Sequence, residues 1–116
     1  MDKWQALQAF WGSFGIPAFD TSSVPSSAEM PYITYEAGKS EFDENVALTA
    51  SIWYYSESWA AISQKADEIS RAIGNGGIVT NGLWIKRGIP FAQRMSDPDA
   101  RIRRIVLNIE VEFFEV

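Results

Sequence analysis

From Ile105 to Val116 the chain alternates along one line. Ile105, Leu107, Ile109, Val111 and Phe113 point one way, and Asn108, Glu110 and Glu112 point the other. A period of two marks a strand with one buried face and one wet face. Twelve extended residues reach roughly 40 Å at ~3.4 Å each, well beyond the usual strand of about five or six. Such a strand needs neighbours on its flanks and an apolar layer against its buried face. The rest of the chain must supply both.

Two amphipathic stretches can form the layer. Over residues 2–14, Trp4, Leu7, Trp11 and Phe14 recur at spacings of three and four, which predicts a helix with one apolar stripe. Asp2 suits its positive end, and Gly15 with Pro17 ends it. These aromatics read as core rather than as a base-stacking surface. The second helix begins after Ser56-Glu57-Ser58, where serine oxygens can accept from free N–H groups. Trp59, Ile62, Ala66, Ile69 and Ile73 form its apolar stripe, and Gly74-Asn75-Gly76-Gly77 closes it.

Neighbouring strands are equally legible. Met30 to Glu36 and Val46 to Tyr55 are rich in aromatic and β-branched residues. They predict an antiparallel hairpin whose long tip carries Glu41, Asp43 and Glu44. Asn81-Gly82 between Ile78-Val79-Thr80 and Leu83-Trp84-Ile85 is the preferred two-residue type I′ turn. Pro90 confines residues 89–95 to an edge strand or irregular extended chain. Residues 17–31, rich in proline and serine, read as a surface loop, long enough to be functional. The expectation is an α+β fold in one domain, residues 1–116. It has a mostly antiparallel sheet with two helices packed on one face, in the order α-β-β-α-β-β-β.

Composition narrows the chemistry. There is no cysteine and no histidine. Thiolate and imidazole nucleophile systems are therefore excluded, as are ordinary zinc sites and disulfides. Gly74-Asn-Gly-Gly77 follows a helix, whereas a phosphate cradle must open one. The pairs Asp97/Asp99 and Asp43/Glu44 sit in hydrophilic turns without the desolvation that acid/base work requires. No catalytic residue, cofactor or metal is expected. The start lacks the basic and apolar regions of a signal peptide, and no segment reaches 18 consecutive apolar residues. A soluble protein made in a cytoplasm, with no membrane partner, is the expectation.

Charge is distributed unevenly. The net charge is −5, but residues 1–85 carry −6, residues 86–104 carry +4 and residues 105–116 carry −3. The basic stretch holds Lys86, Arg87, Arg94, Arg101, Arg103 and Arg104. Its guanidinium groups suit either nucleic-acid phosphates or carboxylates of a second protein surface, such as the Glu41–Glu44 tip of another copy. Overall acidity favours the protein surface. Arg94, Arg101, Arg103, Arg104, Glu41, Asp43 and Glu44 are thus the candidate contact residues. A nucleic-acid-binding module using residues 86–104 is the alternative from a different class.

Several segments resemble small tail components of long-tailed bacteriophages and prophages. They are Asp2-Lys-Trp-Gln-Ala-Leu with Phe10-Trp11, Met30-Pro-Tyr-Ile-Thr-Tyr35, and Leu48-Thr-Ala-Ser-Ile-Trp-Tyr-Tyr55. Ser58-Trp59, Lys65-Ala-Asp-Glu-Ile69 and Gly88-Ile-Pro-Phe-Ala-Gln-Arg-Met95 continue the resemblance. In size and element order the chain is most similar to the tail terminator, or tail completion, family. That resemblance implies a non-enzymatic α+β subunit of a ring, in that family a hexamer, which caps the tail tube. It implies the tail tube protein and a head-side connector as partners, with DNA passing through the ring unbound by sequence. It also implies residence in the host cytoplasm during assembly and then in the virion tail. A head–tail connector is the alternative within the same structural class. The family has no residue motif that assigns individual contacts.

Overall fold

The computed structural model describes residues 2–37 and 46–114. The elements are α1 (Lys3–Trp11), β1 (Ala18–Asp20), β2 (Tyr32–Tyr35), β3 (Val46–Tyr55), α2 (Ala60–Ile73), β4 (Ile78–Thr80), β5 (Leu83–Met95) and β6 (Ile102–Phe113). All strands join one curled sheet in the order β1-β2-β3-β6-β5-β4. Every pairing is antiparallel except β1 with β2. The α+β class and the two helices on one face agree with the sequence reading. The acidic tip, with Glu41, Asp43 and Glu44, lies outside the described residues.

β6 is the central strand, flanked by β3 from Ile102 to Val111 and by β5 on the other side. Ile105, Leu107, Ile109 and Val111 are buried, as the alternation requires, and Phe113 packs against them. β3 follows the same rule, with Leu48, Ala50 and Ile52 buried on the shared face. α2 covers that face with Ile62, Ala66, Ile69 and Ile73. Ser58 Oγ accepts from Ala60 N at 3.0 Å, as expected of a serine at a helix start. Gly74 ends the helix, its N–H reaching Ser70 O at 3.0 Å.

α1 differs from its predicted stripe. Asp2 and Gln5 form a capping box, and the buried residues are Ala6, Leu7, Phe10 and Trp11, with Phe14 in a 3-10 turn that follows. Trp4 is 41% exposed, not core. At 100° per residue it falls on the flank of the arc spanned by residues 6, 7, 10, 11 and 14. Its indole Nε1 donates to Ala37 O at 2.9 Å instead. The same helix anchors the sheet border through Gln8, whose Nε2 donates to Ala18 O at 3.0 Å. Tyr35 Oη donates to Gln8 Oε1, and burial raises the Tyr35 phenol pKa, with the charge of Asp20 adding to the effect.

Two further findings extend the sequence reading. The 17–31 loop contains a three-residue strand, β1, running parallel to β2. Only its backbone pairing identifies it, since Ala-Phe-Asp has no readable alternation. β5 continues through Pro90 as a 13-residue strand. Its pairing with β6 slips between Arg87 and Ala92, because Arg87 faces Ile109 while Ala92 faces Leu107. Three extra residues are therefore accommodated as a bulge. β4 covers β5 only at Leu83–Ile85, so among the described residues Pro90 falls where no strand lies on the outer side. Asn81 (φ 48°) and Gly82 (φ 80°) make the turn before it, both with the positive φ that a type I′ turn demands.

Candidate functional site

The basic stretch begins on β5, runs through the turn and ends on β6, so pleating decides where each side chain goes. Arg94 faces Ile105 across the ladder, which places it on the helix side of the sheet. Arg103, two residues before Ile105, shares that side. Their guanidinium carbons lie 4.8 and 5.0 Å from the centre of the Trp59 ring, so one indole at the start of α2 holds both. Arg94 Nη2 also donates to Ser63 Oγ at 3.3 Å. Arg103 donates to Ala100 O at 2.8 Å and to Glu57 O at 2.6 Å, tying the turn to the segment before α2.

Arg104 is on the opposite, helix-free side. It pairs with Trp53 across the ladder, with its guanidinium 4.7 Å from that ring and its Nε donating to Ser51 Oγ at 3.1 Å. Trp53 Nε1 in turn donates to Thr34 Oγ1 at 3.0 Å. This chain explains why Ser51 and Thr34 are buried although no helix covers them. Arg101 stays in the turn, 3.1 Å from Asp99 Oδ1 and over the Tyr55 ring at 5.4 Å. Its hydrogen bonds hold the Asp99 carboxyl below the ordinary aspartate range.

The four predicted arginines therefore do not form one patch. Arg94 and Arg103 come together, Arg104 lies across the sheet, and Arg101 is neutralised locally. Arg87 behaves like Arg94, donating to Ser70 Oγ at 2.9 Å and to Asn75 Oδ1 at 2.5 Å. Lys86 reaches Glu110 at 3.7 Å. Among the described residues, Arg87, Arg94, Arg103 and Arg104 have hydroxyl, amide, carbonyl and aromatic partners but no carboxylate within 4.0 Å. Such partners orient a guanidinium and leave its charge uncompensated, a state suited to an anionic surface arriving from outside.

Sequence reasoning missed the aromatic pedestals. Trp59, expected in the core stripe of α2, does pack partly against the core and also underlies two arginines, while Trp53 stands on the strand face opposite Leu48, Ala50 and Ile52. The signal was present, because Trp53 and Arg104 have the parity of the face opposite Leu48 and Ile105. The other missed feature is Ile89, which is fully exposed at 100% on the β5 bulge. Asn108 Nδ2 donates to Pro90 O at 2.9 Å and fixes that bulge. A Cβ on Gly88 would lie 2.9 Å from Asn108 Cβ, so only glycine permits the close approach.

Among the described residues no cluster of three or more acidic side chains could hold a metal ion, and no helix is long and apolar enough to cross a membrane.

No family model matches the chain, and no curated protein matches it. Among solved structures, the fold recurs in a chain from a particle described as the virion of native gene transfer agent (GTA) particle. The TM-score is 0.59 at 18% identity, over 94% of this chain and 95% of that one. The likeness is one of fold, and it extends over nearly the full length of both chains.

Proposed function

We propose that this chain is a structural, non-enzymatic protein of a phage-like virion and acts as its tail terminator. In this reading, copies close as a ring, a hexamer by the resemblance noted above, on the end of the tail tube. The ring stops further polymerisation and presents a surface to the head connector. It forms in the host cytoplasm during assembly and stays in the virion tail, with DNA passing through its lumen.

The observation that carries this reading is the fold shared end to end with a chain of a gene transfer agent virion. The uncompensated arginines support it, because Arg94, Arg103 and Arg104 are poised for a protein surface rather than for a substrate. Their division between two faces of the sheet also argues against one continuous phosphate-binding stripe.

Electron microscopy of particles made without this protein tests the role. Overlong tail tubes are the expected result. Tails of normal length detached from heads would favour a head-side connector instead. Normal tails joined normally to heads would overturn the proposal.

A further inference from the structure

The two borders of the sheet differ in charge and in shape. They meet the same row of the ladder: Ala18, Ile33, Ile52, Ile105 and Arg94 are aligned from β1 to β5. Four strand spacings separate those borders, about 19 Å measured along the sheet. On the β5 border, residues 83–95 carry Lys86, Arg87 and Arg94 and no acidic residue. On the β1–β2 border, residues 17–37 carry Asp20, Glu29 and Glu36 and no basic residue.

The shapes complement each other as well. The β5 border projects Ile89, wholly exposed and held by the contacts of Asn108 with Gly88 and Pro90. Beside the β1 border, the outer face of α1 forms a shallow, largely apolar depression lined by Trp4, Gln5, Gln8 and Ala9. A single fully exposed isoleucine is unremarkable on a mobile surface. Here it stands on a bulge that a glycine and an asparagine hold in place, between Arg87 and Arg94, which have no carboxylate within 4.0 Å among the described residues.

We infer that the β5 border of one copy seats against the β1–β2 and α1 border of a second copy, head to tail. Ile89 enters the α1 depression, and Arg87 and Arg94 face the carboxylates of Asp20, Glu29 and Glu36. Charge selects this arrangement over a two-fold one. Joining two β5 borders would bring arginines against arginines, and joining two β1–β2 borders would bring carboxylates against carboxylates. A heterologous contact of this kind leaves one free border of each type on every dimer. It therefore continues until the rotation closes a ring. The inference rests on the ring reading above and assigns its subunit contact.

The absence of cysteine makes a clean test available. Ile89→Cys and Ala9→Cys are made as separate proteins, both at exposed positions, and oxidised alone and as a mixture at high protein concentration and low salt. Each protein carries one thiol, so no cross-link can form within a chain. The expected result is a disulfide-linked heterodimer from the mixture and none from either protein alone. A homodimer of Ile89→Cys would indicate a two-fold contact and overturn the inference. So would absence of the heterodimer while circular dichroism shows both variants folded. Native mass spectrometry of the unmodified protein on purified tail tubes separates the two proposals. Rings there without the heterodimer would sink this contact and leave the ring reading standing, whereas a chain that remains monomeric and ignores tube ends would sink both.

Discussion

β5 and β6 lie side by side, are 13 and 12 residues long, and are built on opposite principles. β6 is paired on both flanks and buries every second side chain from Ile105 to Val111. β5 buries Leu83 and Ile85, then passes beyond the cover of β4, bulges, and exposes most of its remaining length. The first strand is shaped by the chain's own core, and the second leaves most of its length to solvent. An exposed apolar group on an ordered, largely unpaired strand invites association with another chain. The β5 border accordingly carries two of the usual defences of such a strand, a proline and a bulge.

The sharpest test of that contrast places the same charge on each strand. Ile109 is 1% exposed and faces α2, so Ile109→Asp buries a carboxylate without a partner. A loss above about 4 kcal/mol is expected, enough to abolish a cooperative thermal transition in circular dichroism. Ile89→Asp should leave the melting curve within about 0.5 kcal/mol of the parent, because the side chain is fully exposed. It should nevertheless prevent ring assembly on purified tail tubes, read by native mass spectrometry. Equal destabilisation by the two substitutions would dissolve the distinction between the strands.

An intermediate effect is expected where the two strands press together. Gly88→Ala puts a methyl group 2.9 Å from Asn108 Cβ and 3.0 Å from Asn108 O, closer than such contacts occur. Either the bulge or β6 must shift, at a cost of about 1–3 kcal/mol in denaturant unfolding. Since Gly88 does not have a positive φ, that cost is steric rather than conformational. A neutral Gly88→Ala would mean that the bulge is not held by β6, and the seat assigned to Ile89 would lose its basis.

The same contrast explains what could be read from sequence. β6, β3, α2 and the Asn81-Gly82 hairpin were legible because local pattern and tertiary environment agree there. Ile105 and Ile69 are apolar at the period their elements demand and are buried for that reason. β1 was not legible, since three residues paired in parallel are specified by β2 and by Gln8 of α1 rather than by their own pattern. Trp4 was misplaced because an aromatic at helical spacing reads as core, whereas the arc buried by α1 is centred between Leu7 and Phe10. The candidate site was legible in charge but not in geometry. The excess of arginine is visible in the chain, yet only the ladder reveals that Arg94 and Arg103 share Trp59 while Arg104 stacks on Trp53.

The smallest effect is expected in the turn that joins β5 to β6. Asp99 accepts from the Arg101 side chain and from Arg101 N, and these bonds lower its pKa. A carboxyl whose pKa is lower folded than unfolded contributes stability that is complete above the unfolded value. That contribution is lost as pH falls through the folded one. Stability of the parent relative to Asp99→Asn should therefore shrink on acidification from about pH 5, and the two proteins should converge in strong acid. The group is solvent-exposed, so the difference at neutral pH should be slight and should weaken further in salt. Urea unfolding of both proteins across that range reads it directly. A difference that grows on acidification would mean that the Arg101 contact is not what holds the turn. A large difference at neutral pH would mean that the turn, and not only β6, is part of the chain's own core.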